Sequence, residues 1–188
     1  MIKPALMVLT WRNLDCCVKS IDTWKAAGLL ENVEKIAYIN EWNLAYRIAL
    51  EDRGFTTIGS EQNLGIALAY KALIEACESD HFLFLEHDWK SFIPAEEAVK
   101  TLHDSCLLLD SGRVEAIRLR HRTNFGDPLY SRHLMHDVLS THPQHAMDAV
   151  HWSEDPVSQY PGVFTKESFG ETDFIISKAE HAAFTNNP

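Results

Sequence analysis

Two carboxylates flank a histidine at the end of an apolar run, in the sequence HFLFLEHDW at residues 81–89. The four apolar residues before them are typical of a short strand that is covered on both faces. Side chains alternate along a strand, so Glu86 and Asp88 would project from one side, and His87 from the other, if the strand continues one more step. Such a pair could hold a cation. In the alternative, structural interpretation, Asp88 caps the next helix by accepting hydrogen bonds from its first amides.

The chain before this motif alternates between predicted strands and predicted helices. Strands are expected at residues 5–10, 34–40 and 55–60, and helices at residues 14–30, 41–54 and 64–79. This order is typical of a parallel sheet with right-handed crossovers, which binds ligands at the carboxyl ends of its strands. The acids would lie at that edge.

Polar residues follow other strands at the same predicted edge. The first strand ends in TWRN, which places Arg12 directly after the apolar run and Asn13 as a cap for the first helix. Asn63 and Gly65 open the helix that precedes the acid-bearing strand, and Gly65 allows a ligand to approach the backbone closely. We therefore expect these groups to meet at one edge of the sheet.

The second half of the chain is less regular. A helix is expected at residues 94–112 and a strand at residues 114–122, followed by loops rich in Pro, Gly, His and Ser. Candidates for a third metal ligand or a catalytic base are His151, Glu154, Asp155, Glu171 and Asp173. The alternative for each acid is a solvated loop position. Likewise Arg118, Arg120, His121 and Arg122 could face a phosphate, or form the solvent face of a strand.

Composition excludes several classes of protein. The 188 residues have the size of one domain, and their formal charge of −10 would repel nucleic acid and anionic membranes. The four cysteines lack the C-x-x-C spacing of zinc fingers and thioredoxins, so reduced core thiols are expected. No apolar run is long enough for a bilayer, and no cleavable signal pattern is present. These features predict a soluble, cytoplasmic protein.

Four motifs in order, TWRN, NEW, NLGIALAYKALIEA and EHD, resemble the nucleotide-sugar glycosyltransferases of the GT-A fold, and among them the family-2-like enzymes. The likeness covers roughly residues 5–92. The chain is also similar to the compact glycosyltransferase domains of large DNA viruses. The resemblance implies an open α/β/α sandwich on a mostly parallel sheet, with a Rossmann-like nucleotide-binding half.

The resemblance also implies roles for individual residues. Thr10 and Arg12 would border the nucleotide, and Asn40 or Glu41 would reach the base. Asn63 and Gly65 would lie against the nucleoside or sugar. Glu86 and Asp88 would serve a metal-bound diphosphate, with His87 among the cofactor-binding residues. The family usually has Asp where this chain has Glu86, so Asp88 is the main expected ligand of Mn²⁺ or Mg²⁺. Apart from the resemblance, His151 is the candidate third ligand, and the alternative is that Asp88, water and the diphosphate complete the coordination of the ion. Asp173 and Asp155 are the candidate catalytic bases.

The expected activity is metal-dependent transfer of a hexose from a nucleoside-diphosphate sugar, UDP being preferred, to a hydroxyl of a carbohydrate or glycan acceptor. One alternative is a nucleotidyltransferase, although LTWRNLDCC lacks the glycine-rich loop expected for a triphosphate. Another is a non-catalytic nucleotide- or sugar-binding module whose acids cap a helix.

A single domain is expected, with residues 1–92 as the nucleotide-sugar half and residues 93–188 as the acceptor half. The ending AAFTNNP resembles the start of an Asn-Pro segment that continues in related enzymes. By that interpretation the chain is truncated or is the first domain of a longer protein, and the catalytic base would lie beyond Pro188.

Overall fold

The computed structural model describes residues 3–119, 156–159, 161–162, 164–177 and 182–185. The chain divides into two compact units, Met1–Val99 and Lys100–Pro188. The boundary falls inside one helix, Ala95–Asp110.

The first unit alternates strands and helices as predicted. Its elements are β1 (Ala5–Thr10), α1 (Leu14–Ala26), β2 (Glu34–Asn40), α2 (Leu44–Glu51), β3 (Thr56–Ser60), α3 (Gly65–Ala76) and β4 (Phe82–Glu86), followed by the start of α4 (Ala95–Asp110). The strands form one parallel sheet in the order β3-β2-β1-β4. The α/β class and the parallel sheet flanked by helices are therefore confirmed.

The strand order determines which helices share a face. The chain moves from β1 to β2 to β3 in one direction and then returns past β1 to β4. Because parallel crossovers are right-handed, α1 and α2 cover one face and α3 covers the other. On the α3 face, Met7 of β1 and Ile36 of β2 pack with Ala69 and Leu73 of α3. Side chains on both faces of β1 are buried, as a central parallel strand requires.

The β4 strand differs from its prediction. It was expected to be covered on both faces, but Phe82 is 40% exposed and the rest of the strand is only half-buried. Among the described strands, β4 pairs with β1 alone and so lies at the edge of the sheet. An apolar run indicates that a segment is a strand, but it does not indicate how many other strands lie beside it in the sheet.

Two helix starts show how caps set element bounds. Asn13 caps α1 as predicted, because its side chain accepts a hydrogen bond from the Cys16 amide. The helix expected from residue 41 begins instead at Leu44, where the Asn43 side chain accepts from two amides of the first turn. Glu41 has a left-handed backbone (φ 70°) and cannot belong to a right-handed helix.

The second unit contains the rest of α4, β5 (Ala116–Arg118), a short helix α5 (Pro156–Gln159), β6 (Phe164–Phe169), β7 (Thr172–Ser177) and β8 (Ala182–Thr185). Its sheet has the order β5-β8-β7-β6 and is mixed, since β8 is parallel to β5 but antiparallel to β7. Leu108 and Val114 pack with Phe174 and Ile176 to form its core.

A buried carboxylate joins α4 to the hairpin of β6 and β7. Asp104 accepts hydrogen bonds from the Glu171 amide (3.0 Å) and from the Thr172 hydroxyl (2.8 Å). The hairpin turn includes Gly170, which has a left-handed φ of 59°. A β-carbon on this residue would lie 2.2 Å from Asp104 Oδ1, so the turn has no room for a side chain here. This turn lies within the sequence GETDF, residues 170–174.

Within the described part of the chain, no helix is both long enough and apolar enough to cross a membrane.

Candidate functional site

The carboxyl ends of the four parallel strands form one edge of the first sheet, which we call the carboxyl edge. It comprises the strand ends and the residues that follow them, at 10–13, 40–43, 60–65 and 86–89. The direction in which the chain adds strands reverses at β1, which lies between β2 and β4. In open α/β sheets, ligands bind outside the carboxyl ends of the strands at such a reversal.

Two asparagines connect the ends of β2 and β3. The Asn40 side chain donates a hydrogen bond to the Asn63 side chain (2.8 Å) and accepts one from the Leu64 amide (2.8 Å). The Asn63 side chain also accepts from the Gly65 amide (2.8 Å). Asn40 is buried, and these bonds fix the path of the chain into α3. The hydrogen bond between Asn40 and Asn63 was not predicted from the sequence.

A second cluster joins the ends of β1 and β2. Glu41 accepts hydrogen bonds from Arg12 through both Nε (3.2 Å) and Nη2 (3.4 Å), and from the Trp11 indole Nε1 (3.2 Å). The Arg12 guanidinium lies 4.7 Å from the centre of the Trp11 ring, within cation-π distance. The hydrogen bonds from Arg12, and then from Trp11, lower the pKa of Glu41, so this carboxylate is ionised at neutral pH.

Unusual backbone angles concentrate at this cluster. Of the described non-glycine residues, four have a positive φ, and three of them, Arg12 (52°), Asn13 (57°) and Glu41 (70°), lie at the carboxyl edge. The left-handed region is costly for residues with a β-carbon, and such residues collect at ligand sites. The Arg12 carbonyl also accepts a hydrogen bond from the Tyr46 hydroxyl.

The EHD motif begins at the last residue of β4 and continues into a turn. The Trp89 amide donates to the Glu86 carbonyl (3.0 Å), which closes a four-residue turn at the last residue of β4. The strand therefore does not continue to Asp88, so the condition under which strand alternation would place both acids on one side is not met. Capping by Asp88 is also excluded, because the next helix begins only at Ala95.

Helix α1 holds the chain that leaves this turn. The Trp24 indole donates to the Trp89 carbonyl (2.9 Å), and the Ser91 amide donates to the Thr23 hydroxyl (3.0 Å). Trp24 is almost completely buried, so its indole is a fixed anchor.

Within the described residues, the carboxylates of Glu86 and Asp88 have no hydrogen bond or ion pair with another group. Glu86 is half-buried beside β1, where it pairs in register with Leu9, and Asp88 is exposed. Burial and the nearby charge of Glu86 raise the pKa of Tyr70. Both acids are therefore available to a ligand.

The residues present fit a divalent metal only in part. The described residues contain no group of three or more His, Cys, Asp or Glu side chains placed to hold an ion. Mg²⁺ and similar ions, however, are commonly held by one or two carboxylates together with substrate phosphates and water. The oxygen atoms of Asp88 and Glu86 meet that smaller requirement.

The remaining predicted residues of the edge are placed as follows. Thr10 is fully buried and its hydroxyl donates to the Tyr38 carbonyl (3.1 Å), so its side chain stabilises the junction of β1 and β2 and presents no surface to a ligand. Gly65 is exposed, has a φ of 76°, and has open space where a β-carbon would lie. His87 is half-buried within the turn.

Three tryptophans at the carboxyl edge were not predicted as site residues. Trp11, Trp42 and Trp89 follow β1, β2 and β4, and each side chain is 40–46% exposed. Flat, half-exposed indoles can stack against the rings of bases. The signal was visible in the sequence, since every one of the motifs TWRN, NEW and EHDW carries a tryptophan just after a strand.

The candidates of the second unit are placed less favourably. Asp173 lies on β7, and its carboxylate forms an ion pair with Lys166 (2.6 Å) and accepts from the Ser168 hydroxyl (2.6 Å). The contact with Lys166 has the largest effect on the pKa of Asp173 and the contact with Ser168 the next largest, and both lower it. The lower pKa makes Asp173 a weaker base. Glu171 is exposed in the hairpin turn. His151, Glu154, Asp155, Arg120, His121 and Arg122 lie outside the described residues.

In comparisons with family models, curated proteins and solved structures, none matches the chain.

Proposed function

We propose that the protein is a metal-dependent glycosyltransferase of the GT-A type, which transfers a sugar from a nucleoside-diphosphate donor, UDP by preference, to a hydroxyl acceptor. The observation that carries the proposal is the pair Glu86 and Asp88. Among the residues that the structure describes, these acids have no hydrogen-bond or ion-pair partner, and they lie at the carboxyl end of β4, beside the reversal of strand order at β1. Their chemistry suits a metal-bound diphosphate.

The rest of the carboxyl edge supports the same ligand. Nucleotide binding requires a surface for the base, a cation for the phosphates and polar groups for the sugar hydroxyls. Half-exposed Trp11 and Trp42 offer a surface for the base, and Arg12 offers a cation for the phosphates. The polar groups around Asn63 could bind the sugar hydroxyls. The order of the four sequence motifs favours the nucleotide-sugar enzymes over other users of this sheet.

Asp88 and Glu86 would hold Mn²⁺ or Mg²⁺, and such an ion supplies stabilisation of the negative charge on a departing diphosphate. The net charge of −10 is a further reason to propose a metal ion, because without a bound cation the protein would repel an anionic donor. Arg12 would orient the phosphates through its planar fork of donors. The acceptor hydroxyl needs a base, for which Asp155 and Asp173 are the predicted candidates, and Asp173 would first have to leave its ion pair with Lys166.

The proposal is tested with Asp88→Asn, which removes the charge and preserves the shape of the side chain. We expect Mn²⁺-dependent affinity for UDP, measured by calorimetry, to fall about tenfold or more, because the loss of a direct metal ligand should cost at least as much as the loss of an outer-shell partner. Transfer from UDP-sugars should fall with it. Because Asp88 is exposed and has no hydrogen bond or ion pair with any described residue, the free energy of unfolding should stay within about 0.5 kcal/mol of wild type.

The matched control is Asp80→Asn, which makes the same change at an exposed acid that precedes β4 instead of following it. It should leave both affinity and transfer unchanged. If Asp88→Asn and Asp80→Asn bind every UDP-, GDP- and dTDP-sugar as wild type does, with and without Mn²⁺, the acids do not form a donor site and the proposal fails.

A further inference from the structure

Arg12 and Trp11 present three hydrogen-bond donors toward one point at the carboxyl edge, and the Glu41 carboxylate occupies that point. Two donors come from a guanidinium fork and one from an indole. A guanidinium fork matches the geometry of carboxylate and phosphate oxygens. The arrangement is therefore that of an anion site filled by a side chain of the protein itself.

Access to this site does not require unfolding. The Arg12 side chain is 68% exposed and the Glu41 side chain 39% exposed. Exposed ion pairs of this kind are weak, because water and salt screen them. A soluble anion could therefore replace the Glu41 carboxylate at modest cost.

The backbone around the ion pair has the unusual angles that collect at ligand sites. Arg12, Asn13 and Glu41 all have a left-handed φ, a costly conformation for residues with side chains. Two of these residues are the partners of the ion pair. The Tyr46 hydroxyl holds the Arg12 carbonyl, so the Glu41 side chain can rotate away from Arg12 while the backbone of Arg12 stays in place.

We propose that Glu41 is an internal competitor, which occupies the anion site of Arg12 and Trp11 until a phosphate group of the ligand displaces it. This inference rests on the proposed nucleotide site and assigns Glu41 a role different from base recognition. A base-recognising Glu41 strengthens binding, whereas a competing Glu41 weakens it. The sign of its effect on affinity therefore distinguishes the two roles.

The test compares Glu41→Gln with wild type for three probes: inorganic pyrophosphate, UDP and uridine. Removal of the carboxylate frees Arg12 and Trp11 and also removes a negative charge next to the bound phosphate. We expect affinity for pyrophosphate and for UDP to rise about three- to tenfold. The rise is limited because an exposed ion pair is weak, so Glu41 blocks the anion site in only part of the protein molecules. Affinity for uridine, which has no phosphate, should not rise.

Glu51→Gln is the matched control. Glu51 is similarly exposed, accepts from the Nε of Arg47 (2.8 Å), and lies on α2, where the substitution makes the same change in net charge. It should leave all three affinities unchanged. Arg12→Gln should lower affinity for pyrophosphate and UDP. Arg12→Lys keeps the charge but lacks the fork of donors, so its affinities should lie between those of wild type and Arg12→Gln.

Each result is decisive. Weaker binding of UDP and uridine by Glu41→Gln would show that Glu41 recognises the base and would overturn the competitor role. Affinities equal to those of Glu51→Gln, or no pyrophosphate binding by any variant, would also overturn it. Tighter pyrophosphate binding by Glu41→Gln without any sugar transfer by the wild type would support the anion site and reject the proposed enzyme.

Discussion

At the scale of single residues, Gly59 explains how the exits of β2 and β3 fit together. A β-carbon on this residue would lie 2.5 Å from the Ile39 carbonyl oxygen and 2.7 Å from the Trp42 ring. The Trp42 amide is also bound to the Ser60 carbonyl (2.7 Å), so the backbone beside the ring is fixed. Only glycine allows the indole to lie on the end of β3.

Gly59→Ala should therefore destabilise the protein and move Trp42. Forcing a methyl group against backbone typically costs about 1–3 kcal/mol, and we expect a loss of that size in the free energy of unfolding measured with urea. Gly162→Ala is the control, because that residue has open space around the position of a β-carbon, and it should differ from wild type by less than about 0.5 kcal/mol. Equal stability of both variants would contradict this account of Gly59.

Sequence reasoning identified the right kinds of residue at the carboxyl edge but not their geometry. The position of Asn63 at this edge followed from the rule that parallel strands end at one edge of the sheet. The direction of Asp88 did not, because it depends on a turn whose closing hydrogen bond joins two backbone groups, Trp89 and Glu86. Backbone groups are the same in every residue type, so the pattern of side chains does not report that bond.

At the scale of secondary-structure elements, α1 has two tasks. Its first turn follows the strained residues Arg12 and Asn13, and its later turns hold the chain after β4 through Thr23 and Trp24. The two ends of the proposed ligand site therefore share one rigid support. The amphipathic pattern of α1 predicted a helix that packs on the sheet, but the hydrogen bonds to residues 89 and 91 span more than 60 positions in sequence and left no local signal.

In the second unit, Asp104 of α4 has an equivalent structural task at the hairpin of β6 and β7. Burial alone would raise the pKa of this carboxyl group. The hydrogen bonds from the Thr172 hydroxyl, His103 and the Glu171 amide outweigh that effect and hold the pKa below its ordinary value of 3.8. The ionised form thus stabilises the folded state.

Asp104→Asn should destabilise the protein by about 1–3 kcal/mol at neutral pH, the range for hydrogen bonds to a buried charged group. A lowered pKa contributes stability above the ordinary value, and this contribution is lost as the pH falls through the lower value of the folded state. The difference between wild type and Asp104→Asn should therefore be constant above about pH 5 and shrink below about pH 4.

Urea unfolding at several pH values measures this difference. Glu115→Gln, which makes the same charge change at an exposed position of the same unit, should show neither the loss nor the pH dependence. A constant difference down to pH 2 would mean that the charge of Asp104 is not what holds the hairpin.

At the scale of the whole molecule, the sequence predicted the alternating α/β half well, because strand and helix periods differ sharply there and each crossover has one allowed hand. It did not predict the second sheet. Short strands such as β5 and β8 pair with partners distant in sequence, and four residues are too few to show a period. Pairing over such distances is set by the packing of the unit as a whole.

The two units also give the molecule separate spectroscopic signals. Four of its five tryptophans, Trp11, Trp24, Trp42 and Trp89, belong to Met1–Val99, so tryptophan fluorescence reports mainly on the first unit. Circular dichroism reports on the helices and strands of both units. A ligand at the carboxyl edge contacts the unit that dominates the fluorescence signal.

We expect UDP with Mn²⁺, at a hundred times its dissociation constant, to add about 2.7 kcal/mol to the stability of the folded state. If the first unit unfolds by itself, this energy corresponds to a rise of about 10–20 °C in the fluorescence midpoint, whereas cooperative unfolding of all 188 residues would give about 5–10 °C in both signals. Mn²⁺ alone and uridine with Mn²⁺ are the controls and should give smaller shifts, because neither supplies the diphosphate. A fluorescence midpoint that stays fixed with UDP, GDP and dTDP, each with Mn²⁺, would mean that the carboxyl edge of the first unit does not bind nucleotides.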